Sequence, residues 1–261
     1  MPAERVIELS GATNCRSLGG IKTTEGKKIR NHVLLRCCEI SGITDRDCEI
    51  LKDQEKLLAV IDLRTRAEAV QRPDRVITGV QYYSMPVFTE AKVGITPEEE
   101  TRKQGTTPSG MEWLYRMMVC DESCRKAFSD VLHFLVGFDY TKGSVLWHCS
   151  EGKDRCGLTA AFTEALLGVS EEDILTDYLY TNIRNGPRNK AELEKAVRSG
   201  RITRKEADQA WLLYSARSEY LFAAQKGIQE LYGTMDAFLR DGLMITEEEK
   251  QIFRNKVLGN S

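Results

Sequence analysis

A chain of 261 residues with a formal net charge of −2 is long enough to bury a sizeable core, and it carries no global field to draw it to nucleic acid or to an anionic membrane surface. It holds no apolar run of about 18 residues, and its start, MPAERVIELS, lacks the basic-then-apolar layout of a signal peptide, so a cytoplasmic setting without stable membrane insertion is expected. The eight cysteines are expected as free thiols, and the pairs Cys37-Cys38, Cys120 with Cys124, and His148-Cys149 do not have the spacing of a structural zinc site; neither metal nor cofactor is expected.

In chain order, residues 21–30 read as a hairpin about Glu25-Gly26, and 32–36, 56–63 and 80–87 read as strands. Thr44 followed by Asp47 opens a helix by a capping-box pattern. Residues 111–136 have helical apolar spacing behind a candidate cap at Ser109 with Glu112, and 143–149 supply a short apolar strand. From Gly157 onward the chain reads as almost wholly helical, with capping boxes at Ser170/Asp173, Thr203/Glu206 and Thr246/Glu249. No repeat or linker divides it, so 1–261 is expected to be one domain. Strands alternating with helices, then helices alone, predict an α/β fold: a central, mostly parallel sheet flanked by helices, with a helical C-terminal half.

The chemistry concentrates at His148-Cys149-Ser150-Glu151-Gly152-Lys153-Asp154-Arg155. Cys-x5-Arg alone is a weak signal in so cysteine-rich a chain. Its setting between an apolar strand and a helix, with Gly152 and Gly157 in and just after the loop, is the pattern of an anion cradle. Backbone N–H groups and the helix N-terminus converge on one point, where Arg155 can grip two phosphate oxygens. The same field favours a thiolate at Cys149, and a thiolate attacks phosphorus well, so in-line attack, a phosphocysteine intermediate and hydrolysis by water are expected. The alternative, a buried strand-end cysteine beside an ordinary helix-start arginine, leaves the glycines without a reason.

His148, Ser150, Glu151, Gly152, Lys153 and Asp154 are expected around the bound phosphate. The leaving group needs a proton donor. Asp62, at the carboxyl end of the strand over 56–63, ranks ahead of Asp154, although Asp62 could instead cap a helix over 63–70. Asp154, inside the loop, sits where helices prefer acids. Lys153 beside Arg155 would suit a substrate with more than one phosphate, such as a phosphoinositide. Arg16 and Arg64 are candidates for orienting loop or substrate, or for surface ion pairs. Residues 184–208 hold eight Lys or Arg against four Asp or Glu, a locally basic helical stretch. Trp113, Tyr115, Trp211 and Tyr214 read as core or hinge packing.

HCSEGKDRCG resembles the HCxxGKDR signature of the atypical bacterial tyrosine and lipid phosphatases of the PtpB and LipA type, within the cysteine-dependent protein-tyrosine phosphatase superfamily. Residues 14–20, NCRSLGG, are similar to that family's NFRDLGG. Leu35-Arg36 is similar to its FRS segment, and Asp62-Leu63-Arg64 with Glu68, Pro73 and Asp74 to its DLRS...E...PD stretch. Asp177-Tyr178-Leu179, Asn182, Glu219-Tyr220-Leu221 and Tyr232-Gly233 extend the likeness over nearly the whole chain. The resemblance implies a protein-tyrosine-phosphatase-like fold, hydrolysis of phosphotyrosine, phosphoinositide or both in protein or lipid partners, Asp62 as the acid, and a helical lid insertion over 184–218. Two departures stand out: Cys156 replaces the usual Thr or Ser after the loop arginine, which implies slower turnover and offers Cys149 a disulfide partner on oxidation, and Ser17 replaces an Asp. A non-catalytic phosphate-binding pseudophosphatase and a cysteine-dependent redox enzyme such as an arsenate reductase are the alternatives.

Overall fold

The computed structural model describes residues 5–88 and 108–259. Its centre is a five-stranded sheet of β1 (Arg16–Ser17), β3 (Leu34–Cys37), β6 (Ser144–His148), β4 (Leu57–Asp62) and β5 (Gln81–Ser84), in that order. β3, β6, β4 and β5 run parallel, and β1 pairs antiparallel with β3 at one edge. This is the mostly parallel sheet the sequence predicts. A second pairing joins β2 (Lys28–Ile29) to β7 (Leu258–Gly259), tying the two ends of the described chain together. The turn about Glu25-Gly26 forms: the Lys22–Lys28 bridge closes it, and Gly26 takes φ +85°.

Both sheet faces are covered, which is why the strands read as nearly continuous apolar runs. Ala59, Ile61, Val145 and Trp147 enter the larger core, and Leu57, Val60 and Leu146 the smaller one. Asp62 and His148 follow that alternation and fall on the smaller-core face, directly opposite each other in register.

Thr44 caps α1 (Asp45–Glu49) by the expected reciprocal bonds, and the helix runs on as a π turn over Ile50–Gln54. The cap of α2 (Arg66–Gln71) is Thr65, paired with Glu68, and not Asp62. The single helix expected over 111–136 is two. α3 (Pro108–Cys120) stops before Asp121, whose side chain accepts from the N–H groups of Ser123 and Cys124 and so starts α4 (Glu122–Gly137). The Ser109 side chain lies outside those described.

α5 (Asp154–Leu167) leaves the loop after β6 and is buried on nearly every side. α6 (Glu171–Arg198) runs unbroken through Pro187, and α7 (Arg204–Tyr214) folds back beside it. Residues 184–218 comprise the distal half of α6, the hairpin, α7 and the turn into α8 (Ser218–Tyr232). The short α9 (Met235–Ala237) with its π turn, and α10 (Glu247–Val257), complete the helical cover. Thr203 and Thr246 close capping boxes as expected, whereas Ser170 caps α6 through its own hydroxyl without the reciprocal bond from Asp173.

Candidate active site

The loop from His148 to Arg155 joins β6 to α5 at the carboxyl end of the parallel strands, where open α/β sheets place their ligands. Gly152 is required there twice over. Its φ is +65°, and a Cβ would lie 2.6 Å from the Cys37 carbonyl oxygen. Gly157 lets α6 approach, since a Cβ would meet the Tyr178 ring at 3.0 Å.

Three successive carbonyls of the loop are held from outside it. The Glu39 N–H donates to Ser150 O (3.1 Å). Asn14 Nδ2 and Asn185 Nδ2 donate to Glu151 O (3.3 and 2.8 Å), and Asn14 Nδ2 and Arg36 Nη2 to Gly152 O (3.0 and 2.9 Å). A planar trans peptide sets its N–H opposite its C=O, so turning these carbonyls out turns the N–H groups of residues 151–153 to the other side. The result is a nest of donors at the N-terminus of α5.

Cys149 lies at its foot, 2 % exposed. Burial pushes its thiol up, but the hydrogen bond from the Cys156 thiol, the Arg155 charge and the Cys156 backbone N–H outweigh that, and it comes down to about 6. Cys156, the residue in the usual Thr/Ser position, is pushed well up by burial and by Cys149, so it stays a thiol and a donor. None of the eight cysteines is joined in a disulfide.

Glu68 aims Arg155. Its two carboxylate oxygens accept from Nη1 and Nη2 (2.7 and 2.9 Å), and Oε1 also accepts from Ser150 Oγ (2.5 Å). Burial raises the Glu68 carboxyl, but Arg155, Ser150 and the Thr65 N–H carry it down to about 2. One residue thus completes the cap of α2 and fixes the loop arginine. Its family likeness marked Glu68, but nothing local in the sequence gave it this partner.

Asp62 ends β4, opposite His148 in register. Both its oxygens accept from Arg64 (Nε 2.9 Å, Nη2 2.7 Å) on the sheet face opposite to the one holding Cys149. Arg64, 1 % exposed, also donates to Asp74 Oδ1 (2.7 Å), and Asp74 Oδ2 pairs with His148 Nε2 (2.9 Å). Burial disfavours charge on His148, yet the Asp74 bond and the charges of Asp62 and Asp74 raise it above its ordinary value. Ligand atoms of Asp62, Asp74 and His148 converge within 4.8 Å, but the Arg64 guanidinium already bridges the two carboxylates. Arg64 and His148 are thus tied together through Asp74.

Asp154 stands in the first turn of α5, close enough to Cys149 to oppose its ionisation. Its Oδ1 accepts from Tyr115 Oη (2.7 Å), which also meets Tyr178 Oη (2.7 Å). Lys153, 1 % exposed, turns its ammonium to the carbonyls of Leu213 and Ser215 at the end of α7, 3.4 Å from Asp154 Oδ1. Glu151 pairs with Arg188 of α6. A cavity of about 170 Å³ opens here, lined by Glu39, Glu68, Arg72, Ser150, Glu151 and Tyr214. The distal α6–α7 arm thus lies over the loop, and Tyr214 forms part of its mouth. Tyr115 is core, and Trp211 packs under Lys190, 5.0 Å from its ring. Arg16 is fully buried against Asp177 and Asn14.

A buried, acidified cysteine in a nest of N–H groups, faced by an arginine at the head of a helix on a mostly parallel sheet, is the site of a protein-tyrosine-phosphatase-like fold. The chain belongs to the tyrosine phosphatase family, whose sequence profile matches residues 7–259. It is similar to a Cupriavidus necator protein that bears a tyrosine-protein phosphatase name, 28 % identical over 239 residues covering 89 % of this chain and 82 % of that one. It is also similar to the triple specificity protein phosphatase PtpB of Mycobacterium tuberculosis, 27 % identical over 263 residues covering 90 % and 93 %. The chain is accordingly a phosphatase, as its loop and its resemblance led one to expect. Among the described residues no helix is long and apolar enough to cross a membrane.

Proposed function

We propose that the chain hydrolyses phosphomonoesters through a phosphocysteine intermediate, with Cys149 as nucleophile and Arg155 and the loop N–H groups stabilising the equatorial oxygens. The observation that carries this is the buried Cys149 in a loop whose carbonyls at 150–152 are all held from outside it; the Cys156 and Arg155 beside it lower its thiol, and a thiolate can attack phosphorus without a base to activate it. The cradle supplies its own positive charge, so the step requires no metal. Protonation of the leaving oxygen falls to Asp154. It projects from the same turn as Arg155, and its Oδ2 accepts no hydrogen bond from the described residues, whereas Asp62 is spent on Arg64.

Phosphotyrosine is the substrate class the site favours. The phosphoinositide reading leaned on Lys153 as a second phosphate ligand, and that ammonium is engaged by the carbonyls of Leu213 and Ser215. Phosphoserine and phosphoinositide substrates, assayed beside phosphotyrosine with Cys149→Ser as control, decide between these readings.

Purified protein should release phosphate from an aryl phosphate in the presence of EDTA, be blocked by vanadate and lose turnover in Cys149→Ser. Metal-dependent turnover that survives Cys149→Ser would falsify the mechanism. Asp154→Asn should lower kcat by about 10²-fold and flatten the basic limb of its pH profile, in line with loss of a general acid. If Asp62→Asn does this instead, the donor is Asp62.

A further inference from the structure

A fully buried charged cluster lies behind the loop. Asp177 of α6 is 1 % exposed and is met by three guanidinium groups: Arg5 Nη2 at 2.7 Å, Arg36 Nη1 at 2.7 Å, and Arg16 through Nε and Nη2, both at 3.2 Å. Arg16 and Arg36 are themselves 0 % exposed. Each passes the restraint forward. The second amino group of Arg36 holds Gly152 O at 2.9 Å, and Arg16 donates to Asn14 Oδ1, so that the Asn14 amide presents its nitrogen to the carbonyls of Glu151 and Gly152. Asn14 takes a left-handed backbone, φ 58°, to reach them.

We propose that Asp177 is a positioning residue for the phosphatase reaction, fixing Arg36 and Arg16 with Asn14 so that the Glu151 and Gly152 carbonyls stay turned out of the phosphate cradle. The inference rests on the reading of Cys149 as the nucleophile. Its physical basis is that a single carboxylate sets the direction of two arginines that have no other carboxylate bonded to them among the described residues. The one other acid facing the cluster, Glu164 of α5, is buried and has neither oxygen hydrogen-bonded among those residues. Without the Asp177 charge the guanidiniums lose their common anchor. Gly152 O then loses a charge-assisted donor, the peptide planes of 151–153 are freer to rotate, and the N–H groups aim less well at the site of the anion.

The test is Asp177→Asn, which keeps the shape and removes the charge. Alkylation of Cys149 by iodoacetamide, followed across pH on its own peptide by mass spectrometry, reports the thiolate directly. Arg155, Asp154 and Cys156, all on α5, act on that thiolate and are not altered by the substitution, so a shift in its midpoint reports the aim of the loop N–H groups. The alkylation midpoint should rise by about one pH unit, a tenfold loss of thiolate below it. The inorganic phosphate needed to protect Cys149 should rise about tenfold, and kcat/KM on an aryl phosphate should fall about 10²-fold with its acidic limb moved to higher pH. A purely structural role would lower Tm and leave the midpoint and the phosphate protection where they were, and that result overturns the proposal.

If Asp177→Asn does not fold, Asn14→Gly carries the same test, since glycine suits the left-handed backbone and removes only the amide; an unchanged midpoint and unchanged protection there also overturn it. Alkylation and protection require no turnover. A wild-type protein without aryl phosphate hydrolysis would therefore refute the proposed reaction and leave the role of Asp177 to be decided separately.

Discussion

Residue by residue, the proposed reaction separates groups that would touch the anion from groups that would aim them. Cys149, Arg155 and the loop N–H groups form the first set, and Glu68, Asn14, Arg36, His148 and Asp177 the second. The sequence made the first set legible because strand, glycine and helix signals surround it within ten positions. It did not reveal what Glu68, Asn14, Arg36 and Asp177 hold, because those side chains come from outside the loop, Asn14 from 138 positions away, and only the folded chain brings them together. Asp62 shows the limit in the opposite sense. Its place at a strand end suggested catalysis, but nothing in the sequence showed that both its oxygens would meet Arg64.

Cys156 gives a prediction at this scale. Its thiol donates to Cys149 and helps hold it near 6. Removing that donor in Cys156→Ala should raise the Cys149 value. Because the thiolate is the active form, the acidic limb of kcat/KM against pH should then move to higher pH, with a loss greatest below pH 7. Cys156→Ser, which restores a donor, should move it back. A profile that is identical in the alanine variant would remove Cys156 from the activation of Cys149.

The elements were easier to read than their ends. The capping boxes at Thr44, Thr203 and Thr246 and the strand that enters the loop were visible because their signals are local. The joint between α3 and α4 was not, because apolar spacing continues across Asp121 and hides a cap that acts through one side chain. Asp121→Ala should cost about 1 kcal/mol of stability, seen as a lower denaturant midpoint with an unchanged slope, and should leave the thiolate midpoint intact since α4 does not reach the loop. At Gly152 the same reasoning gives a larger effect. A methyl group there meets the Cys37 carbonyl and a backbone conformation unfavourable to it, so Gly152→Ala should abolish turnover even where the protein folds.

For the molecule as a whole, paired buried carboxylates set the response to acid. Glu68 falls to about 2 in the folded chain, against about 4.3 when unfolded, and Asp177 is also lowered, since Arg16, Arg36 and Arg5 outweigh the effect of burial. A depressed carboxylate contributes stability that is present above its unfolded value and is lost as pH falls toward its folded one. Stability should thus decline between about pH 4 and pH 2, and Glu68→Gln, which removes a term of about 3 kcal/mol, should flatten that decline. Urea unfolding at a series of pH values measures it; equal slopes in the two proteins would show that Glu68 is not depressed. The basic character read for residues 184–208 is partly cancelled within the chain, as Arg184, Arg188 and Arg204 each find a carboxylate. Charge counted along a sequence does not show which of its members fold against an acid.

The outward grip on the carbonyls of Ser150, Glu151 and Gly152 also decides when the entropy of ordering the loop is lost. Because the donors come from β1, β3 and α6 and their flanking turns, the loop loses its freedom as the chain folds, in the same cooperative step that forms the sheet. An arriving phosphate displaces water from a cradle that already has its shape, so little of its binding energy is spent on conformational order and more is left to separate the transition state from the ground state.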